Sequence, residues 1–296
     1  MPGFETWDEI RIAYHVARAG TVSGAAEALG VHHATVIRHV DALETRLGLK
    51  LFQRHARGYT ATEAGEELFR VARMTDEQFS QLAARLGGGA GEVSGEFTLT
   101  AIPELTAFLV PALIRFRAAH PDLAVRLLTD TRLFRLEYGE AHAAIRAGPR
   151  PDQPDNVVQP LGVLRHGLYA ARSHIEAHGL PATESALADH PCVGPDTPDS
   201  PVPHLRWMAA VVPTAALVFR GRDLTTLADA VVAGAGVGFV PLWRARQEPG
   251  LVEVLPPRPA WDSPLWLVTH VDLHRTAKVQ AAVAHLKAEA AGWALD

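Results

Sequence analysis

The chain has 296 residues, 48% of them hydrophobic, 21% charged and 7% aromatic, a globular composition that excludes disorder as the main state. At roughly 100 to 200 residues per domain, the length predicts two domains, or one large domain with an appendage. A formal net charge of -5 excludes global attraction to polyanions, so any nucleic-acid surface has to be local. The single cysteine, Cys192, cannot close an intramolecular disulfide. The acid-bearing opening lacks the basic and long apolar stretches of an export signal. The longest apolar run, Trp207 to Phe219, is shorter than the roughly 20 residues of a membrane span and contains Pro213. A cytoplasmic protein with no membrane partner is expected.

The chain opens with a helical pattern. Thr6 and Glu9 have the spacing of a capping box, and Trp7, Ile10, Tyr14 and Ala17 recur at helical spacing and are expected inside. Ser23 is expected to cap a short second helix, in which Ala25 and Ala26 are small enough for a close helix crossing. Gly30 supplies the positive backbone angle of a tight turn. A third helix follows with Val36, Val40, Leu43 and Leu47 on its inner face, leaving His33, Thr35, Arg38 and His39 outside. Two short helices joined at a glycine turn, the second polar in its opening turns, suit a DNA major groove, which admits one helix whose leading residues reach base edges. The other reading of the pattern is a helical hairpin that merely packs. Leu49 to Thr62 then alternates like a short hairpin, with Lys50, Arg54 and Arg57 around a turn at Gly58. Such a wing places cations on phosphates beside the groove.

Residues 7 to 65 thus resemble the winged helix-turn-helix of the LysR-type transcriptional regulators, through AAEALGV, the spaced LE, LG, LF and R, and the T and AG that follow. The resemblance implies double-stranded DNA as partner, a dimerising linker helix, a two-lobed small-molecule effector domain, and a tetramer built as a dimer of dimers. It covers essentially the whole chain. The DNA-contacting set expected is Ser23, His32, His33, Thr35, Arg38, His39, Lys50, Arg54 and Arg57. The sequence departs from the family where the recognition helix begins: His32, His33, Ala34 and Thr35 stand where Ser, Gln, Pro and Ala are usual, which implies a different operator half-site. Adjacent histidines do not face one another on a helix, so they make a poor metal pair. Beside phosphates, His32, His33 and His39 would strengthen DNA binding in mildly acid solution.

Leu68, Ala72, Thr75, Phe79, Leu82 and Leu86 recur at alternating steps of four and three, a heptad seam expected to dimerise the chain. The run Gly87 to Gly91 reads as a hinge. The organisation expected is an N-terminal all-α winged helix-turn-helix over 1–62, a linker helix and hinge over 63–91, and an α/β effector domain over 92–296. The last is of the periplasmic-binding-protein-like type, with lobe one at 93–163 and 266–292 and lobe two at 164–265.

In this second domain strand and helix patterns alternate, as in parallel α/β wiring. In open parallel sheets ligands sit beyond the carboxyl ends of the strands. That rule selects Pro103, Glu104 and Thr106 after FTLTAI, Thr129 and Asp130 after VRLLT, Arg146 in AAIRAG, and Arg220, Asp223 and Thr226 around LVFRG. Each also has an ordinary role open to it: Asp223 as a helix cap, Thr129 as a strand residue, Arg146 as a surface ion-pair partner. Glu104 stands where the family often has Ser or Thr, and a carboxylate there competes with an anionic effector. The expected effector is neutral or cationic, unless Arg146 and Arg220 outweigh Glu104. The Pro-rich stretch from Pro195 to Pro203 reads as an ordered loop or a crossover between strands.

The glycine run Gly234 to Gly238 lies between a helix and a strand, the reverse of the dinucleotide fingerprint. Gly234 is expected to end the helix. No metalloprotease, P-loop or serine-elbow motif is present, and Cys192 beside His190 is no activated nucleophile. Neither catalysis nor a cofactor or metal is expected. The alternative function is a solute-binding protein whose N-terminal module serves for assembly.

Overall fold

The computed structural model describes residues 6–55, 58–86, 93–130 and 134–295, and of the side chains at 77, 78, 80–86 and 138 nothing is said. Arg57 and the glycine-rich hinge lie outside the described residues, as do the side chains of Leu82 and Leu86. The chain forms two compact units, the first essentially the residues up to Glu92 and the second essentially those from Val93 on.

The first unit is built of α1 (Trp7–Ala19), α2 (Val22–Leu29), α3 (His33–Leu47), a hairpin of β1 (Phe52–His55) and β2 (Gly58–Ala61), and α4 (Glu63–Leu86). Its core joins Ile12, Ala13 and Val16 of α1 with Ala25 and Ala26 of α2, Val36, Val40 and Leu43 of α3, and Leu51 and Phe52 of the hairpin. Helix α1 is therefore buried on two sides. The Ile12, Ala13 and Val16 side meets α2 and α3, while Tyr14 and Trp7 lie against Phe69 and Phe79 of α4. The expected inward stripe through Trp7, Ile10, Tyr14 and Ala17 is only part of this, because a helix packed between neighbours has no single apolar face.

Two local expectations give way to tertiary partners. Thr6 makes no side-chain cap bond, and Glu9 is buried and paired with Arg46 of α3, 37 residues away, instead of reaching back to the start of its helix. The cap of α2 is Thr21, whose hydroxyl accepts the Gly24 N–H at 3.1 Å, which leaves Ser23 exposed within the helix. Gly30 ends α2 in the left-handed region at φ 65°, where a side chain is strained. Gly65 is demanded by proximity: a Cβ there would lie 2.0 Å from the Leu51 carbonyl oxygen, which seats α4 against the hairpin.

The second unit runs through β3 (Gly95–Ala101), α5 (Thr106–Ala119), β4 (Leu123–Thr129), β5 (Ala143–Ala147), β6 (Asn156–Leu164), β7 (His166–Ala171), α6 (Arg172–His178), β8 (Cys192–Pro195), α7 (Pro203–Val211), β9 (Leu217–Gly221) and α8 (Leu224–Val232). It continues with β10 (Gly238–Pro241), α9 (Leu242–Ala245), β11 (Leu251–Leu255), β12 (Ser263–His270), α10 (Val271–His274) and α11 (Ala277–Ala290). One lobe holds a five-stranded sheet in the order β4-β3-β5-β12-β6. β3 runs parallel to β4 and β5, whereas β12 is antiparallel to β5 and β6, so the sheet is mixed and not wholly parallel. Helices α5 and α11 cover it through Leu109, Leu113, Phe116, Val279 and Leu286. The other lobe holds the sheet β10-β7-β11 and the parallel pair β8-β9. The chain passes between lobes after Leu164 and returns just before Ser263. Helix α8 ends as expected of its glycine run: Gly234 takes φ 87°, and the Gly234 and Ala235 N–H groups donate to the Val231 and Ala230 carbonyls.

Candidate functional site

Two places combine chemistry with access: the outer face of α3 with the adjoining hairpin, and the cleft between the lobes of the second unit.

On α3, His32, His33, Ala34 and Arg38 are exposed and Thr35 and His39 half-buried, while Val36, Val40 and Leu43 are sealed on the opposite side. The polar face is thus free of the protein's own interior. The hairpin is locked to α3 by Glu44, whose carboxylate is 1% exposed. It accepts the Leu51 N–H at 2.9 Å, the Phe52 N–H at 3.2 Å and the Lys50 ammonium at 2.6 Å, and it lies 3.2 Å from the Arg54 guanidinium. Burial pushes this carboxyl up, but the Lys50 bond and the two backbone donors outweigh it and hold the group below its usual range. Arg54 also pairs with Asp41 and lies over the Tyr59 ring, 5.2 Å from its centre. Both described hairpin cations therefore rest on carboxylates of α3, although Lys50 keeps 70% of its side chain exposed.

Helix α4 carries the heptad residues on a face that the unit partly uses itself. Ala72 is fully buried, Leu68 packs on the α1–α3 core, and Thr75 bonds back to the Val71 carbonyl. Among the described residues of α4, the exposed large apolar side chains are Phe79 and Val71, the latter outside the expected seam.

The cleft of the second unit has a volume of about 530 Å³. Of the residues expected there, Glu104, Asp130 and Arg146 line it. The other six do not. Pro103 opens the turn before α5 and its carbonyl takes the Thr106 hydroxyl, so both are engaged locally. Thr129 and Arg220 are exposed away from the lining. Asp223 caps α8, accepting the Thr225 and Thr226 N–H groups at 3.4 and 2.9 Å and the Thr226 hydroxyl at 2.6 Å. Because β9 extends to Gly221, it is Arg222, bonded to Asp196 at 2.9 Å, that stands beyond the strand end.

Sequence reasoning missed His166 and Ser263, each beside a point where the chain changes lobe, and most of the 195–203 stretch, which lines the cleft beyond β8. The signals were there: lobe crossings lie at the hinge, and the strand-end rule applies to β8, a strand of four residues that runs straight into the proline-rich loop. Beneath the cleft floor lies a buried polar stack. His166 Nε2 is 3.5 Å from Glu104 Oε1, and the His166 and His204 rings stack with centres 3.9 Å apart. Burial, then the neighbouring His166, push His204 well below the usual histidine value, against a smaller upward pull from the Trp261 backbone. Glu104 Oε2, His166 Nδ1 and His204 Nδ1 have no hydrogen-bond partner.

Cys192 is buried, donates to the Leu187 carbonyl, and burial pushes its thiol up to about 12, the opposite of an activated nucleophile. Among the described residues there is no group of three or more metal-ligating side chains, and no helix is long and apolar enough to cross a membrane.

Comparison with known proteins identifies the family of both units. Residues 7–66 match the bacterial regulatory helix-turn-helix protein of the lysR family, and residues 90–291 match the LysR substrate binding domain. The chain is 25% identical over 292 residues to the probable HTH-type transcriptional regulator LtrA of Klebsiella pneumoniae, covering 94% of this chain and 93% of that protein. It is 34% identical over 145 residues to the HTH-type transcriptional activator IlvY of Salmonella typhimurium, covering 48% of this chain and 49% of that one. The fold matches that of ArgP from Mycobacterium tuberculosis, with a TM-score of 0.68 at 21% identity, over 96% of this chain and 97% of that one. CrgA from Neisseria meningitidis matches with a TM-score of 0.59 at 20% identity, over 97% and 99%. A reading head at one end and a two-lobed ligand domain after it are the two parts of an effector-responsive DNA-binding regulator, and the chain belongs to the LysR family of transcriptional regulators.

Proposed function

We propose that α3 enters the major groove with His32, His33, Thr35, Arg38 and His39, that Ser23 contacts the backbone, and that Lys50, Arg54 and Arg57 lie along the flanking phosphates. The observation that carries this reading is the polar face of α3, exposed over an apolar face sealed by Val36, Val40 and Leu43. Because Lys50 and Arg54 share the carboxylates of Asp41 and Glu44, phosphate oxygens have to compete for them, so base contacts carry a larger share of affinity than an all-cationic wing would give.

The linker helix joins two chains into a homodimer, further paired into a tetramer. Exposed Val71 and Phe79 on α4 support the first contact; Val110 and Ile114 on α5 and Val218 and Phe219 on β9, all exposed, support contacts between effector domains. Single reading heads make few contacts, and two held at fixed spacing add affinity and impose a half-site separation. The effector occupies the cleft between lobes whose division follows the two chain crossings, and it shifts the heads by preferring one cleft geometry. The protein acts in the cytoplasm and does no catalysis; Cys192, buried and bonded to the Leu187 carbonyl, offers no thiol nucleophile.

Selection of bound fragments from the source genome, with and without candidate metabolites, tests DNA binding and effector response together. Recovery of one recurrent, dyad-related sequence whose occupancy shifts with a metabolite is expected. Fragments without common sequence, or occupancy that no metabolite changes, would overturn the corresponding half of the reading.

A further inference from the structure

The cleft's charged groups differ in how far the protein itself satisfies them. Arg222 is paired with Asp196 at 2.9 Å, and Arg146 donates to the Phe134 carbonyl at 3.1 Å. The first N–H groups of α8, which could have received an anion, are taken by Asp223. Each of these anion-binding groups thus already has an internal acceptor. Glu104 is the reverse case. It lines the cleft with its side chain 4% exposed, one oxygen 3.5 Å from His166 and the other without a partner. With Nε2 directed at Glu104, His166 is left with an unpartnered Nδ1, a second acceptor in its Nε2–H form. The terminal carboxylate torsion of glutamate is broad, so Glu104 can turn its open oxygen to a bound group while the rest of its side chain stays packed. Ile102, Ile145, Leu164 and Leu205 are among the residues that make the lining of the same cleft mainly apolar. A carboxylate held in such surroundings costs free energy unless it is paired.

We propose that the effector is a small organic cation, with an ammonium or amidinium head donating to Glu104 and an apolar body against this lining. The assignment rests on the reading of the cleft as the effector site. It predicts that a matched anion is repelled by the same carboxylate that holds the cation.

The test is calorimetric titration of the full-length protein with three probes on one skeleton: 4-phenylbutylamine, 4-phenylbutan-1-ol and 4-phenylbutanoate. The amine is expected to bind about ten- to a hundredfold more tightly than the other two, the range of one charge-assisted hydrogen bond. Glu104→Gln should remove that preference, and Glu104→Asp, which keeps the charge, should retain part of it. Alcohol or carboxylate binding as tight as the amine, no binding of any probe, or a preference that survives Glu104→Gln overturns the cationic assignment. Thr197→Trp, at an exposed position of the lining, separates this from failure of the cleft itself. Amine binding lost in that variant places the probe in the cleft, whereas amine binding that it leaves unchanged places the probe elsewhere and overturns both readings.

Discussion

Glu44 of α3 accepts the backbone N–H of Leu51 at 2.9 Å, so the helix that presents the DNA-reading face and the hairpin beside it are fastened by one buried carboxylate. Glu44→Ala would leave the Leu51 and Phe52 N–H groups without their acceptor and strip Lys50 of its partner. A loss of about 3 kcal/mol is expected, read from urea denaturation, with Glu44→Gln losing less because it keeps an acceptor oxygen. Since the carboxyl is held below its ordinary value of 4.5, its contribution is complete above that value and is lost as pH falls through the lower folded value. The variants should therefore show a weaker acid dependence of stability than the parent; equal acid dependence would mean that Glu44 is not the fastening.

Arg38 stands exposed on the face of α3 and Lys50 on the hairpin side. Arg38→Ala is expected to cost about 1 to 3 kcal/mol of discrimination between operator and scrambled duplex. Lys50→Ala should instead weaken both duplexes alike and reduce the salt slope by about one. Competition binding over a salt series separates the two, and a uniform loss for Arg38→Ala would remove it from the base-reading set.

On α4 the side chain of Val71 is 53% exposed and is therefore available to a second chain at no cost to its own unit. Val71→Asp should leave thermal unfolding of the reading head nearly unchanged while raising the dimer dissociation constant about ten- to a hundredfold in sedimentation velocity, as expected when a charge enters an apolar contact. An unaltered assembly would move the contact to another face of the helix.

His204 lies fully buried against His166 and Phe239, and His166 in turn lies 3.5 Å from Glu104. Its pKa is pushed well below the ordinary 6.5, so it folds neutral, while the unfolded chain gains a proton below that value. Stability is thus present above pH 6.5 and declines as pH falls toward the folded value. His204→Phe keeps the aromatic packing and removes the proton uptake. Its Tm should fall less steeply than the parent's between about pH 6.5 and 5, and matching slopes would exclude His204 as a source of the acid sensitivity.

Much of this protein follows from local pattern. The periodicity of Val36, Val40 and Leu43, the turn at Gly30 and the alternation around Gly58 specify a helix-turn-helix with its hairpin, because helix and strand periods and glycine's backbone freedom are properties of adjacent residues. Strand ends likewise pointed to Glu104, Asp130 and Arg146. Only the tertiary structure decided which polar residues are spent inside the fold. Glu9 goes to Arg46 and not to its own helix start, and Lys50 and Arg54 go to Glu44. Leu68 packs on the unit's own core and Ala72 is buried. The partners of a buried or half-buried side chain come from distant parts of the chain, chosen by how the elements pack, and no spacing along the sequence encodes that choice.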